Sequence, residues 1–129
     1  MSESRNVDVL KHMIRYCGEI DEIVKRSGNI KDTLLSDSIY RNAAAMCILQ
    51  IGELTTHLTD EFKDEYSDIP WQDIKGMRNV AAHHYGSIDL EMLYATITED
   101  IPQLKSYCAG IIRRIEVNQQ PSIEPEITI

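Results

Sequence analysis

The chain has 129 residues, the length of one domain, and can bury a core without disulfides or a structural metal. Apolar residues make up 43% and charged residues 26%, with only 4 Pro and 6 Gly, which excludes a largely disordered chain. Thirteen basic residues against twenty-one acidic leave a net charge of −8, which excludes a general nucleic-acid coat; any nucleic acid must be met at a small local site.

The longest uncharged apolar run, Ala43 to Ile51, is far too short to span a bilayer. No basic start followed by an apolar run appears at Met1, so no secretory signal and no membrane partner are expected, and the location expected is cytoplasmic. Cys17, Cys47 and Cys108 sit among apolar residues without paired spacing and read as reduced core thiols.

The hydrophobic period is helical nearly throughout, with no alternating β-branched run. Val7, Leu10, Ile14, Cys17, Ile20 or Asp21, and Val24 form one stripe on a long first helix. Ser4 or Asn6 can cap its start, and Gly28 can end it with a left-handed residue. A short turn over Asp32–Leu35 follows, with Leu34 and Leu35 folded inward.

The second long helix is expected from about Asp37 to Thr59, with Ile39, Ala43, Met46, Cys47, Gln50, Leu54 and Leu58 as its stripe. Ala43, Ala44 and Ala45 make its centre small on every side, suited to a close helix neighbour. Gly52 costs about 1 kcal/mol against Ala inside a helix, so a packing reason for it is expected. Residues 60–69 are acidic and read as irregular.

Pro70 and Trp71 open a third helix, with Pro70 at its first position, running to about Tyr85 and stopping at Gly86-Ser87. Asp89 then caps a fourth helix. Its stripe of Leu90, Leu93, Tyr94, Ile97, Ile101, Leu104, Cys108, Ile111, Ile112 and Ile115 continues to about residue 117. Pro102 interrupts the stripe and predicts a kink or a fresh start near Thr98. From Gln120 the chain reads as an extended or disordered tail. The fold class is therefore all-α, an up-and-down bundle of four to five helices over residues 1–118, with the tail at 119–129. No Gly-rich phosphate loop is present.

Polar residues crowd one stretch, Gly76 to Gly86, at the end of an otherwise apolar helix. At ~100° per residue, Tyr85 shares the face of Arg78, whereas His83 sits ~140° around. Both can address one point if the helix loosens, if the site is a wide groove, or if a two-fold partner supplies the second group. These residue types suit phosphodiester chemistry. Arg78 offers a planar, permanently charged fork for phosphate oxygens and for charge growing on a phosphorane. His83 can exchange a proton near neutrality, and RNA brings its own 2′-hydroxyl nucleophile. Asn79 can position a phosphate or ribose, and Tyr85 can do the same or accept a modification.

Blander readings stand beside these. By spacing alone, Arg78 and His83 also fit a capping Arg and a surface His. Glu53 fits either a solvated face residue or an orienting partner of Arg78. His12, His57, His83 and His84 lack any metal-site spacing, so neither a metal nor a cofactor is expected. Lys25-Arg26 and Arg113-Arg114 read as solvated pairs, Trp71 as the anchor of the third helix, and the other tyrosines as core or interface aromatics.

The sequence resembles the HepT-like branch of the HEPN superfamily. That branch carries Arg, four residues, His, one residue, Tyr, matched here by Arg78, His83 and Tyr85, with the polar Asn79 after the Arg. Ile51-Gly52-Glu53, Ile69-Pro70-Trp71, Gly76-Met77-Arg78-Asn79, Gly86-Ser87-Ile88-Asp89 and Glu99-Asp100-Ile101-Pro102 extend the likeness over roughly residues 6–116, although Ala81 and Ala82 are smaller than the aliphatics expected there.

The resemblance implies a HEPN-like α-helical homodimer with the motif in the cleft between protomers. It further implies a metal-independent endoribonuclease acting as the toxin of a toxin–antitoxin pair. The partner implied is an MntA-like nucleotidyltransferase antitoxin, which inactivates the toxin by adding AMP to the motif tyrosine, here Tyr85. In this scheme Arg78 and His83 are catalytic, Asn79 and Glu53 support the substrate site, and RNA is the substrate. Two chains carry −16, twice −8, so a cleft holding two Arg78 side chains is where RNA is attracted. The alternative reading is a non-catalytic HEPN module that binds the nucleotidyltransferase or a nucleotide.

Overall fold

The computed structural model describes residues 2–81 and 88–119, and every regular element among them is helical. The elements are α1 (Ser2–Arg26), α2 (Lys31–Ser36), α3 (Ser38–Thr55), α4 (Asp60–Glu65), α5 (Trp71–Gly76), α6 (Arg78–Ala81), α7 (Leu90–Ala95) and α8 (Ile101–Gln119). A π-helical turn over Thr96–Asp100 joins α7 to α8. The expected all-α bundle is thus the fold observed. Its centre is α1, packed on α3 and α8, while the other side of α3 carries α5 and α6.

Leu10, Met13, Cys17 and Ile20 of α1 meet Ile48 and Ile51 of α3 and Leu104, Cys108 and Ile111 of α8 in one sealed core. Val9 and Met13 are buried while Val7, Ile14 and Val24 lie at the margin, so the stripe of α1 is rotated slightly from the expected one. The helix ends as expected at Gly28, with φ +80°. The Asn29 N–H reaches the Val24 carbonyl (3.1 Å) and the Gly28 N–H reaches that of Lys25 (3.0 Å), the paired bonds of a Schellman ending.

Its start differs from expectation. Neither Ser4 nor Asn6 caps α1, because the helix already begins at Ser2. Asn6 is instead buried. Its amide nitrogen donates to Thr59 Oγ1 and its Oδ1 accepts from the Thr59 N–H, both at 3.1 Å. Burying an amide is tolerable when both its ends are satisfied, and here the bonds tie α1 to a residue 53 positions away.

Thr59 is also the cap of an unexpected element. Its Oγ1 accepts from the Phe62 N–H at 3.2 Å and starts α4 within the stretch that composition marks as irregular. Phe62 supplies what the acidic sequence hides. It is buried against Tyr66 (ring centroids 4.9 Å apart) and Trp71 (6.2 Å), and the Trp71 Nε1–H donates to the Tyr66 carbonyl at 3.0 Å. Trp71 therefore anchors its helix as expected. Leu34 and Leu35 of α2 fold inward as expected too.

Helix α3 departs most from its predicted face. It stops at Thr55, short of Thr59, and buries Ala44, Ala45, Cys47, Ile48, Ile51, Gly52 and Thr55. Ile39 and Met46, expected inside, are 76% and 53% exposed. The helix is apolar or small around most of its circumference and is covered from two sides, so no single stripe marks its inner face.

The expected third helix is two short ones. Met77 separates α5 from α6, with Pro70 capping α5 and Trp71 as its first residue. The expected stop at Gly86-Ser87 lies outside the described residues, as does the tail from Gln120. Asp89 caps α7 as predicted, its Oδ1 accepting from the Met92 N–H at 3.1 Å. The break predicted near Thr98 is the π turn, in which the Ile101 N–H bonds to the Thr96 carbonyl five residues back. Pro102 has no N–H and crowds the carbonyl four residues earlier, so a regular α-turn is disfavoured there.

Candidate active site at the α3–α6 corner

The corner that holds Arg78 is built on Gly52. A β-carbon placed on Gly52 would lie 3.0 Å from the backbone nitrogen and the β-carbon of Arg78, and 3.0 Å from the Lys75 carbonyl oxygen. Two of these three atoms are backbone and cannot turn aside. Gly52 is therefore the packing reason expected for a glycine inside a helix: it lets the α5–α6 junction rest directly on α3.

The junction itself is tightened. The Met77 N–H bonds to the Ile74 carbonyl at 3.1 Å, and the Val80 N–H bonds to that of Met77 at 2.9 Å. Trp71, Ile74, Met77 and Val80 face inward as the apolar underside of the corner. Arg78 and Asn79 lie on its outer side, Arg78 partly covered and Asn79 exposed.

Arg78 meets Glu53, the residue after Gly52. Its Nη1 donates to Glu53 Oε1 at 3.2 Å across 25 residues of sequence. Of the two readings of Glu53, the structure forms the ion pair. The two side chains are 36% and 49% exposed, so water screens the pair and its worth in stability is about 0–1 kcal/mol. Its effect is directional. One edge of the guanidinium is engaged, and among the described residues no other partner takes the remaining N–H groups of its five-donor fork, which suit an anion.

The structure thus brings together Arg78 and Glu53, and leaves Asn79 exposed next to Arg78 in the chain. His83, His84 and Tyr85 lie outside the described residues. Among the described residues no group of three or more His, Cys, Asp or Glu side chains could hold a metal ion. No described helix is long and apolar enough to cross a membrane. Sequence reasoning expected a packing role for Gly52 without its partner; the signal was the cost of glycine in a helix next to Glu53.

The three cysteines belong to the core rather than to this corner. Burial pushes the Cys17 and Cys108 thiols up to about 12, with the nearby Asp21 adding to the effect at Cys17. Burial also pushes Cys47 up to about 11, aided by the carboxylate of Glu19, to which its Sγ donates at 3.7 Å.

A helical bundle with an arginine braced by a carboxylate at a helix corner is the class the fold and site define. The family model for ribonuclease HepT-like proteins matches residues 13–111, and the chain belongs to that family. It is 29% identical to a "Putative RNase" of Caldanaerobacter subterraneus subsp. tengcongensis over 81% of this chain and 92% of that protein. It is 27% identical to a "Gamma-glutamylcyclotransferase and putative RNase" of Methanocaldococcus jannaschii over 85% of this chain, which spans 49% of that longer protein. A "Probable ribonuclease HepT" of Thermococcus cleftensis is 32% identical over 57% of this chain and 67% of its own length. No solved structure matches the chain.

Proposed function

We propose that this protein is a metal-independent endoribonuclease, the toxin of a toxin–antitoxin pair. The observation that carries this reading is the braced arginine: Arg78 held by Glu53 at 3.2 Å on a junction fixed by Gly52, at the position where the sequence resembles the family's motif. In the proposed mechanism His83 takes the proton of the RNA 2′-hydroxyl. The resulting oxygen attacks the adjacent phosphorus, and the bond to the 5′-oxygen of the next nucleotide breaks as that oxygen takes a proton from water, while His83 returns its proton to solvent. Arg78 neutralises the charge that builds on the phosphorane oxygens. Asn79 holds the substrate. The products are a 2′,3′-cyclic phosphate and a 5′-hydroxyl.

The working unit in this reading is a homodimer, in which two motif helices line one cleft and the wide angle between Arg78 and His83 ceases to matter. The exposed Ile39 and Met46 on the outer face of α3, the helix that also bears Glu53, suit such a contact. Regulation follows from charge and bulk. A nucleotidyltransferase partner adds AMP to Tyr85, and the added phosphate competes with RNA for Arg78.

The test uses purified dimeric protein whose intact mass shows an unmodified Tyr85. It is incubated with total RNA in chelator beside His83→Ala. The expected outcome is cleavage by the wild type, ending in cyclic phosphate, with a loss of about 10²–10⁴-fold in His83→Ala. Ends bearing a 3′-hydroxyl, or activity abolished by the chelator, would overturn the mechanism. No cleavage by either protein, with nucleotidyltransferase binding intact, would establish a non-catalytic module instead.

A further inference from the structure

The groove between α4 and α5 has no part in the reading above. It encloses about 600 Å³, with Asp60, Lys63 and Asp64 along one wall and Trp71, Gln72 and Lys75 along the other. Lys75 stands where this groove meets the Arg78 corner. It precedes Arg78 by three residues, and its carbonyl presses on Gly52 beside the Arg78 backbone. The junction between them is closed by bonds from Met77 to Ile74 and from Val80 to Met77, each spanning three residues. In turns of that kind, side chains three apart eclipse one another. Lys75 and Arg78 therefore leave the same side of the corner, with β-carbons about 5–6 Å apart, close enough for two long cationic side chains to reach adjacent phosphates of one strand.

The other cation of the groove, Lys63, and the arginine of the corner both have carboxylate neighbours. Lys63 lies 4.0 Å from Asp60, with Asp64 beside it, and Arg78 leans on Glu53. Lys75 enters no salt bridge among the described residues. The acidic end of the groove repels an anion, while the Lys75 end attracts one.

The geometry points to Lys75 as a second phosphate ligand of single-stranded RNA, holding the phosphate next to the one at Arg78 and seating the flanking nucleotide in the groove mouth. This rests on the ribonuclease reading. Since the strand meets Asp60 and Asp64 farther along, this side of the site grips a single flanking phosphate, and RNA beyond it adds little.

The experiment measures cleavage of a short fluorescent RNA over a range of salt by wild type, Lys75→Ala, Lys75→Gln and Lys75→Arg. Binding of the uncleavable 2′-deoxy oligonucleotide is followed in parallel. Lys75→Ala and Lys75→Gln are expected to raise KM and Kd roughly fivefold at unchanged kcat, and to lower the slope of log affinity on log salt by about one. Lys75→Arg is expected to restore both. A wild type that cleaves, with unchanged KM and slope in Lys75→Ala, overturns the assignment and leaves the ribonuclease reading standing. So does a loss confined to kcat, which marks a distorted corner. A wild type that neither binds nor cleaves RNA overturns both.

Discussion

The seam of α1, α3 and α8 and the corner of α5 and α6 solve different problems with the same backbone. The seam joins helices of 25, 18 and 19 residues through side chains with almost no exposure, among them Leu10, Ile48, Ile51, Leu104 and Ile111. Such helices gain their stability from buried apolar area. The corner is made of helices of six and four residues, too short to persist alone. It is held from beneath by Trp71, Ile74, Met77 and Val80 and from the side by the absence of a side chain at Gly52. The seam stores free energy in volume, whereas the corner spends little on stability and fixes one charged group in direction.

The sharpest way to break this comparison is to cut each region once. Arg78→Ala is expected to lower kcat about 10²–10³-fold while leaving the melting temperature nearly unchanged. Ile111→Ala is expected to do the reverse, costing about 2–5 kcal/mol in urea unfolding with activity per folded molecule retained. If Arg78→Ala unfolds the protein, or Ile111→Ala inactivates a folded one, the division of labour is wrong.

Gly52→Ala probes the contact between the regions and should have a smaller effect. Alanine gains about 1 kcal/mol in helix propensity. Its methyl must also displace the Arg78 nitrogen and the Lys75 oxygen, an overpacking that costs about 1–3 kcal/mol. The clash wins, so a net loss of about 1 kcal/mol is expected. The shifted Arg78 should lower kcat about tenfold to a hundredfold. An Ala variant with full activity would mean that the corner tolerates movement.

A pH-dependent effect concerns the seam alone. The folded pKa values of Cys17, Cys47 and Cys108 lie above the usual value of 9.0, at about 12, 11 and 12. In the window between the unfolded and folded values the native state holds more protons than the unfolded one. Stability is then complete below about pH 9 and falls as pH rises toward the folded values. Thermal melts from pH 7 to 10 should show the decline beginning near pH 9, and native thiols should resist alkylation at pH 8. A rapidly modified cysteine in the folded protein would show that the seam opens.

Much of the seam was legible in the sequence because burial leaves a period. Gly28, Asp89, Leu34, Leu35 and Pro102 each act where their local chemistry places them. The face of α3 was not legible, because a helix covered from two sides has no single stripe and left Ile39 and Met46 misassigned. Helix α4 was hidden by its acids, since only Phe62 and the Thr59 cap carry it. Asn6 looked like a cap because its partner, Thr59, is distant in sequence. At the corner, Arg78 and Asn79 stood out by type and spacing. The tie from Arg78 to Glu53 depends on how two helices meet, and spacing within one helix cannot express that.

The π turn at Thr96–Asp100 makes α7 and α8 a helix with a phase step rather than a rod. A π turn holds one residue more than the α-helical path it replaces, so it works as a length reserve. Removing one residue within it would set Pro102 against a regular α-turn and rotate α7 relative to α8, carrying Leu93 and Ile97 away from the core. The seam between α8 and α1 keeps its phase, and the change falls on α7, the segment that leads back toward the motif. The extra residue therefore fixes the spacing between motif and bundle, because at this length α7 keeps Leu93 in the core.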